Sequence, residues 1–531
     1  MLSGYWRFKK EQTFHRKDWA VLLGLMALSS VYYFTFYRYG LNLSDEGYVV
    51  HGAIRVLGGE LPGADFHSYA PGRTWLLGLL YQITGVSIST ERLMWIVWRA
   101  VTSCLLWVLS RRFLEPRSAL LVVLASLFMP GPWHKTPLVF SLALVSLLLL
   151  ALLRETRRAR LFPLGAGLGS ILLIREEVGL LGVGLGFVVV GCRLRSRSGG
   201  VGAVGVAAVA GGVALTLTLG AIPYFLQGRL LEVGAFYFSE LLRTASGVSA
   251  TGSPGRVEHG LHVVTSVSRP FLEGMLYGLP LLLVAVSCAL ILLRRAWRSA
   301  LGQEFMLFSA VSAFCALILH GQPDLSHLLQ VFPFHHVLAL LLLSQGFGWL
   351  SSLAPSHRRV HCFLSSTLPF TYTAMVFALV LASGIGDPYY TGSALLRADE
   401  SVELQVHGDL LYVERDRAEV IRRTVEVIRR NTVQGEPIFV FPYAPMFYVL
   451  ADRPNPTSFD GVFAHLPSEA GFEEGIVQAL QNSDVRVVVV DRGGVSALGW
   501  PTGSLKAYLD KRFLKTASFG PYEVFSASST P

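Results

Sequence analysis

At 531 residues, with 52% hydrophobic but only 15% charged side chains and a mean hydropathy of +0.49, the chain is too apolar for a soluble globular protein, in which about a quarter of residues carry charge. Lys and Arg outnumber Asp and Glu, for a net charge of +9, yet they gather in short loops rather than along one face, which excludes nucleic acid as a partner. The five cysteines (Cys104, Cys192, Cys288, Cys315 and Cys362) include no close pair, which argues against a zinc site or a disulfide framework.

The chain opens on Arg7, Lys9, Lys10, Arg16 and Lys17, followed by a long apolar segment with no small-residue cleavage site. A retained first span is expected, and no signal peptide. Apolar segments of near-spanning length then recur at 19–38, 90–110, 118–133, 136–153, 161–175, 177–193, 201–225, 270–294, 303–320, 328–350 and 363–385, so about eleven transmembrane helices are expected. The segments at 118–133 and 161–175 are also short enough to be re-entrant arms. The basic loops at the N-terminus, Arg111–Arg117, Arg154–Arg160, Arg193–Arg197, Arg294–Arg298 and His357–Arg359 all fall on one side. By the positive-inside rule that side is the cytoplasm, which gives an N-in/C-out topology. Thr74–Thr84 is too short to cross and is assigned to the outer interface. Glycine tracts around Gly182–Gly186 and Gly199–Gly212 lie inside apolar runs and read as close helix packing, not phosphate loops.

After Ile385 the composition changes. Arg417–Arg430 and Gly471–Leu480 have helical periodicity, as does a shorter piece at Ser504–Lys511, whereas Pro437–Phe441, Val485–Val490 and Tyr522–Phe525 read as strands. The fold class is therefore mainly α and polytopic, with a small C-terminal α/β domain. Residues 1–385 form the transmembrane domain, with a first outer loop at 39–89, and 386–531 the extracytoplasmic domain.

Polar chemistry concentrates in Leu41–Arg73, which carries Asp45, Glu46, His51, Arg55, Glu60, Asp65, His67 and Arg73. Asp45 and Glu46 follow Ser44 and precede an expected helix at Gly47–Leu57, so helix capping explains them too. A second cluster in the same loop, Asp65 to Tyr69 with His67, favours a catalytic reading. Asp45 would then be a general base, taking the proton of a hydroxyl as it attacks an activated carbon, with Glu46 as a second acid and Asp65, His67 and Tyr69 holding substrate. If the leaving group is a phosphate, outer-side cations must meet its charge, and Arg73, Lys135, Arg175 and His327 are the candidates. Each could equally be an interfacial anchor or an ion-pair partner. Glu177, beside Arg175, is a further candidate that a solvated hairpin tip also explains. His320, Asp324 and His327 have helical spacing, but Gly321 and Pro323 interrupt the helix. Asp324 and His327 are therefore read as single side chains offered to a cavity; no metal centre is assigned and a divalent cation is left open. His335 and His336, inside the next span, are expected to pair with neighbouring backbone or each other.

Together these features resemble the GT-C superfamily of membrane glycosyltransferases, in particular the bacterial branch with protein mannosyltransferase-like and aminoarabinose transferase-like enzymes. The residues that carry the resemblance are Asp45-Glu46-Gly47-Tyr48, Gly58–Pro62, Asp65, Tyr69–Pro71, Pro323–His327, and the runs Pro442-Tyr443-Ala444-Pro445 and Ala451-Asp452-Arg453-Pro454. The resemblance implies inverting transfer of a sugar from a polyprenyl-phosphate donor on the non-cytoplasmic face of the inner membrane, with Asp45 as base and Glu46 in the site. Where relatives often carry Lys-Pro-Pro-Leu after the second acidic cluster, this chain has Ala70-Pro71-Gly72-Arg73. The phosphate contacts, the sugar and the acceptor (lipid, glycan or protein) stay open. Two other readings compete: a carrier or flippase for lipid-linked intermediates, which would show internal repeats and ionisable residues in mid-span, and an O-antigen-ligase or polymerase-like enzyme, which would not need Asp45. The transferase reading expects Asp45, Asp65 and Asp324 to line one cavity.

Overall fold

The computed structural model describes residues 16–69, 71–128, 135–155, 157–195, 202–245, 269–321, 325–353, 367–375, 377–378, 398–461, 471–498 and 503–528. Helices occupy the expected apolar segments in turn. They are α1 (Arg16–Phe34), α2 (Asp45–Leu57), α3 (Pro71–Thr84), α4 (Ile88–Phe113), α5 (Pro116–Phe128), α6 (Thr136–Arg154), α7 (Arg158–Ile174), α8 (Glu176–Arg195), α9 (Gly202–Leu226), α10 (Leu230–Ala245), α11 (Arg269–Arg294), α12 (Ala300–Gly321) and α13 (Leu325–Leu353). The 363–385 segment is described only in part, as helix at 367–375. Among the described residues, five helices are long and apolar enough to cross a bilayer by length and composition, within α4, α6, α9, α12 and α13. The protein is multi-pass and mainly helical. After Gln227, α10 forms because Val233 and Tyr237 recur at helical spacing and pack with Leu61, Ala64 and Trp75.

The chain divides into two compact units. One comprises residues 1–35, 95–220 and 252–392. Its core is built from Leu106, Leu138, Leu142, Leu149, Leu168, Phe305, Phe308, Phe334 and Leu338, all buried on facing helices. Helices α7 and α9 cross at glycine: a Cβ on Gly212 would stand 2.1 Å from the Phe162 carbonyl oxygen, and one on Gly165 2.2 Å from that of Val209. This is the close packing that small residues allow between apolar helices. Buried Glu304 pairs with Arg112 at 2.8 Å and with Arg154. His335 Nε2 lies 3.1 Å from the Ser312 carbonyl and His336 Nε2 2.8 Å from the Thr373 hydroxyl, so one of the mid-span pair meets backbone and the other a side-chain hydroxyl.

The other unit comprises residues 36–94, 221–251 and 393–531. In its C-terminal stretch, β1 (Ser401–Val406) and β2 (Asp409–Glu414) form a hairpin about His407 and Gly408, whose φ angles are 45° and 83°. This is the left-handed backbone that a two-residue hairpin turn needs. There follow α14 (Arg415–Asn431), β3 (Ile438–Phe441), α15 (Met446–Ala451), α16 (Phe472–Asn482), β4 (Val487–Asp491), α17 (Arg492–Leu498), α18 (Ser504–Arg512), β5 (Phe513–Phe519) and β6 (Tyr522–Ala527). The sheet order is β3-β4-β6-β5, with β3 and β4 parallel and the remaining pairs antiparallel. Phe439, Phe441, Val488 and Val490 pack under Phe472, Ile476 and Leu480 of α16 and Leu505 and Leu509 of α18. Helix α14 buries Ala418, Ile421, Thr424 and Ile428 and lies against β5 and β6. The sheet is thus covered by helices, as the alternating pattern expects.

Candidate active site

Helix α2 begins at Asp45, and its first turn is built for a purpose other than simple capping. Ser44 makes no side-chain cap. Instead the Asn42 side chain accepts hydrogen bonds from the backbone N–H groups of Ser44 and Asp45 at 2.9 and 3.0 Å. The two acids then part in role. Arg92 donates to both Glu46 carboxylate oxygens, at 2.6 and 3.0 Å, and the Asn42 N–H donates to one of them at 3.0 Å. Arg92 is 2% exposed and Glu46 4%. The same guanidinium donates to the carbonyls of Tyr37 and Gly40 at 2.6 and 2.8 Å. Glu46 therefore serves the loop as a brace, a buried bidentate pair that fixes the backbone ahead of α2.

Asp45 is only partly buried, and its Oδ1 accepts a 2.8 Å hydrogen bond from the Tyr443 hydroxyl. Burial, then the negative charge of Asp45, pushes the Tyr443 phenol well above its ordinary range, so it stays protonated and donates. Around this pair stands an aromatic cluster. The Tyr48 ring is 6.2 Å from Tyr443 and 6.0 Å from Tyr69, and the Arg73 guanidinium lies 5.8 Å over the Tyr69 ring. Tyr48 donates to the His67 carbonyl at 2.9 Å and lies 3.2 Å from its Nδ1. Burial is also the largest influence on the Tyr48 phenol, and it too is raised well above its ordinary range. The His67 ring sits edge-on to Tyr69 and Phe236, and the backbone N–H of His67 donates to the Ser458 carbonyl at 2.7 Å.

Arg73 is 5% exposed, and among the described residues no carboxylate pairs with it. A neighbouring set of polar groups is paired within itself. Asp460 takes His51 Nδ1 at 2.8 Å and Arg55 at 3.2 Å, while Arg55 also donates to Glu60 at 2.8 Å. Burial alone would raise the Asp460 carboxyl, but His51 and Arg55 outweigh it and hold the group below the usual carboxylate range. This cluster ties α2 to the 455–460 segment that carries the carbonyl partner of His67.

The structure brings Asp45, His67, Tyr69 and Arg73 together. Asp65 is elsewhere employed, accepting the Leu61 N–H at 2.7 Å and pairing with Arg229 at 2.7 Å, which fixes the turn before His67. Lys135, at the start of α6, Arg175, at the end of α7, and Glu177 belong to the other compact unit, where Arg175 and Glu177 pair with each other. Asp324 lies outside the described residues, and so does the single cavity expected to join it to Asp45 and Asp65. His327 is in the first turn of α13, and its side chain is not among those described. Among the described residues no group of three or more His, Cys, Asp or Glu side chains is arranged to hold a metal ion. The sequence did not single out Tyr443 or Arg92; the Pro442–Pro445 run was the only local sign of the first, and nothing local marked the second.

A family model for dolichyl-phosphate-mannose-protein mannosyltransferases matches residues 68–216. The match covers well under half of the chain. No curated protein sequence matches this chain. Solved structures that resemble it include ArnT from Cupriavidus metallidurans in the apo state, 13% identical with a TM-score of 0.48 over 97% of this chain and 98% of that one. The archaeal oligosaccharyltransferase AglB from Archaeoglobus fulgidus, in complex with an inhibitory peptide and a dolichol-phosphate, is 12% identical with a TM-score of 0.46 over 97% of this chain and 75% of that one.

Proposed function

We propose that the protein is a GT-C membrane glycosyltransferase that moves a sugar from a polyprenyl-phosphate donor to an acceptor hydroxyl on the non-cytoplasmic face of the inner membrane. The acceptor oxygen attacks the anomeric carbon while its proton passes to Asp45. The carbon–oxygen bond to the phosphate breaks, and its electron pair leaves with the polyprenyl phosphate. Attack opposite the leaving group inverts the anomeric centre. The observation that carries this reading is the pairing, within one aromatic cluster, of a partly buried acid that accepts from Tyr443 with Arg73, a buried cation with no carboxylate partner among the described residues. The acid suits proton removal and the cation suits a leaving phosphate. Tyr69 and His67 are assigned to the donor, and Glu46 and Asp65 to bracing the loop. Lys135, Arg175, Glu177, Asp324 and His327 are proposed as secondary donor contacts. The domain division at 385/386 and the count of about eleven spans belong to the same proposal. The donor class follows the dolichyl-phosphate sugar named for the matching family.

In the test, Asp45→Asn is purified in its folded form and given lipid-linked sugar and acceptor. Transfer is expected to fall by about 10²–10⁴-fold, the usual worth of a general base. A variant that transfers at the wild-type rate sinks the assignment. Mass analysis of lipid-linked sugars in a strain lacking the protein then names the sugar, which should accumulate on its carrier.

A further inference from the structure

We propose that Tyr443 is a positioning residue for Asp45, so that the turn after β3 tunes the base in the first loop; the inference rests on the reading of Asp45 as base. The hydroxyl donates to Oδ1 at 2.8 Å. A hydrogen bond to the charged form of a carboxylate favours that form and fixes its plane. It keeps Asp45 ionised to lower pH at some cost in basicity.

The surroundings are shaped to deliver this one hydroxyl. The turn is fastened to the loop by the Met446 N–H, which donates to the Leu43 carbonyl at 3.0 Å, two residues before Asp45. A Cβ on Gly47 would lie 2.3 Å from the Met446 nitrogen, and one on Gly461 2.3 Å from Cδ2 of Tyr443. Two glycines from distant parts of the chain thus make room for one turn and one ring, and the Tyr48 ring stands edge-on at 6.2 Å. A ring held only for packing would not need its oxygen on the carboxylate.

The experiment measures kcat/KM against pH for full-length Tyr443→Phe, which keeps the ring and loses the donor. The acid limb is expected to move up by about one pH unit, the scale of one hydrogen bond to a charged group. Near-normal transfer should return at higher pH, with KM little changed. Full-length protein carrying 3-fluorotyrosine at position 443, a stronger donor, should move the limb down, and it decides the matter if the Phe variant does not fold. A limb unmoved in the fluorinated protein, or in a folded Tyr443→Phe whose rate is equal or uniformly lower at every pH, overturns the proposal. Asp45→Asn run alongside separates two failures: if it is inactive while the limb stays put, only the role of Tyr443 falls, and if it transfers normally the base assignment falls and takes this one with it.

Discussion

Two arginines of the same unit are buried to a similar degree and live under opposite electrostatics. Arg92 spends its guanidinium on Glu46 and on the carbonyls of Tyr37 and Gly40, whereas Arg73 rests on the Tyr69 ring, with no carboxylate among the described residues. A buried cation without a counter-charge is costly to the folded protein, and the cost is recovered when an anion arrives. Arg73→Ala should therefore raise KM for the lipid-linked donor by about 10–100-fold, the worth of a hydrogen bond to a charged group, while leaving the melting midpoint of the purified protein level or higher. An unchanged KM removes Arg73 from the donor site. At this scale the sequence was legible where polar residues crowd an apolar chain: Asp45, His67, Tyr69 and Arg73 all come from one short loop. It was silent on Tyr443, because a partner 398 residues away leaves no periodicity or spacing to read.

At the scale of elements, α2 and the turn before α15 meet at Gly47. An Ala there would drive its Cβ into the backbone of Met446, 2.3 Å from the nitrogen, and the turn would have to move. Gly47→Ala should cost about 1–3 kcal/mol, the range for overpacking a tight site, and should depress transfer beyond that by pulling Tyr443 off Asp45. Gly24→Ala in α1 is the control, since no atom lies within 4 Å of its Cβ; denaturation midpoints of the two should differ clearly. Helices with a long apolar run were legible from periodicity, as were β3 and β4 with their β-branched residues. The hairpin β1–β2 and strand β5 were not, because their exposed positions carry polar residues and their order comes from cross-strand partners. Helix α10 was missed because its buried side chains match the first loop rather than a long apolar run of their own.

For the molecule as a whole, the proposed orientation rests on charge. The basic loops at Arg111–Arg117, Arg154–Arg160 and Arg193–Arg197 should stay in the cytoplasm, placing the α2 loop and the β3–β6 sheet outside. Fusion of a periplasm-dependent phosphatase after Pro531 should give active enzyme, and a cytoplasm-dependent fluorescent protein there should stay dark; the reverse result would turn the proposed topology over. The long apolar helices were legible because lipid imposes one simple rule on every span, whereas the assembly of the site follows from contacts that no local rule encodes.

Those contacts also fix an order of events. His51 and Arg55 on α2 are made early in the chain, but the carboxylate that both of them meet, Asp460, follows 409 and 405 residues later. At the pace of a ribosome, the nascent protein holds its first loop and its Asp45 long before it holds their partners. Closure of the network around α2 is thus one of the last steps open to the growing polypeptide.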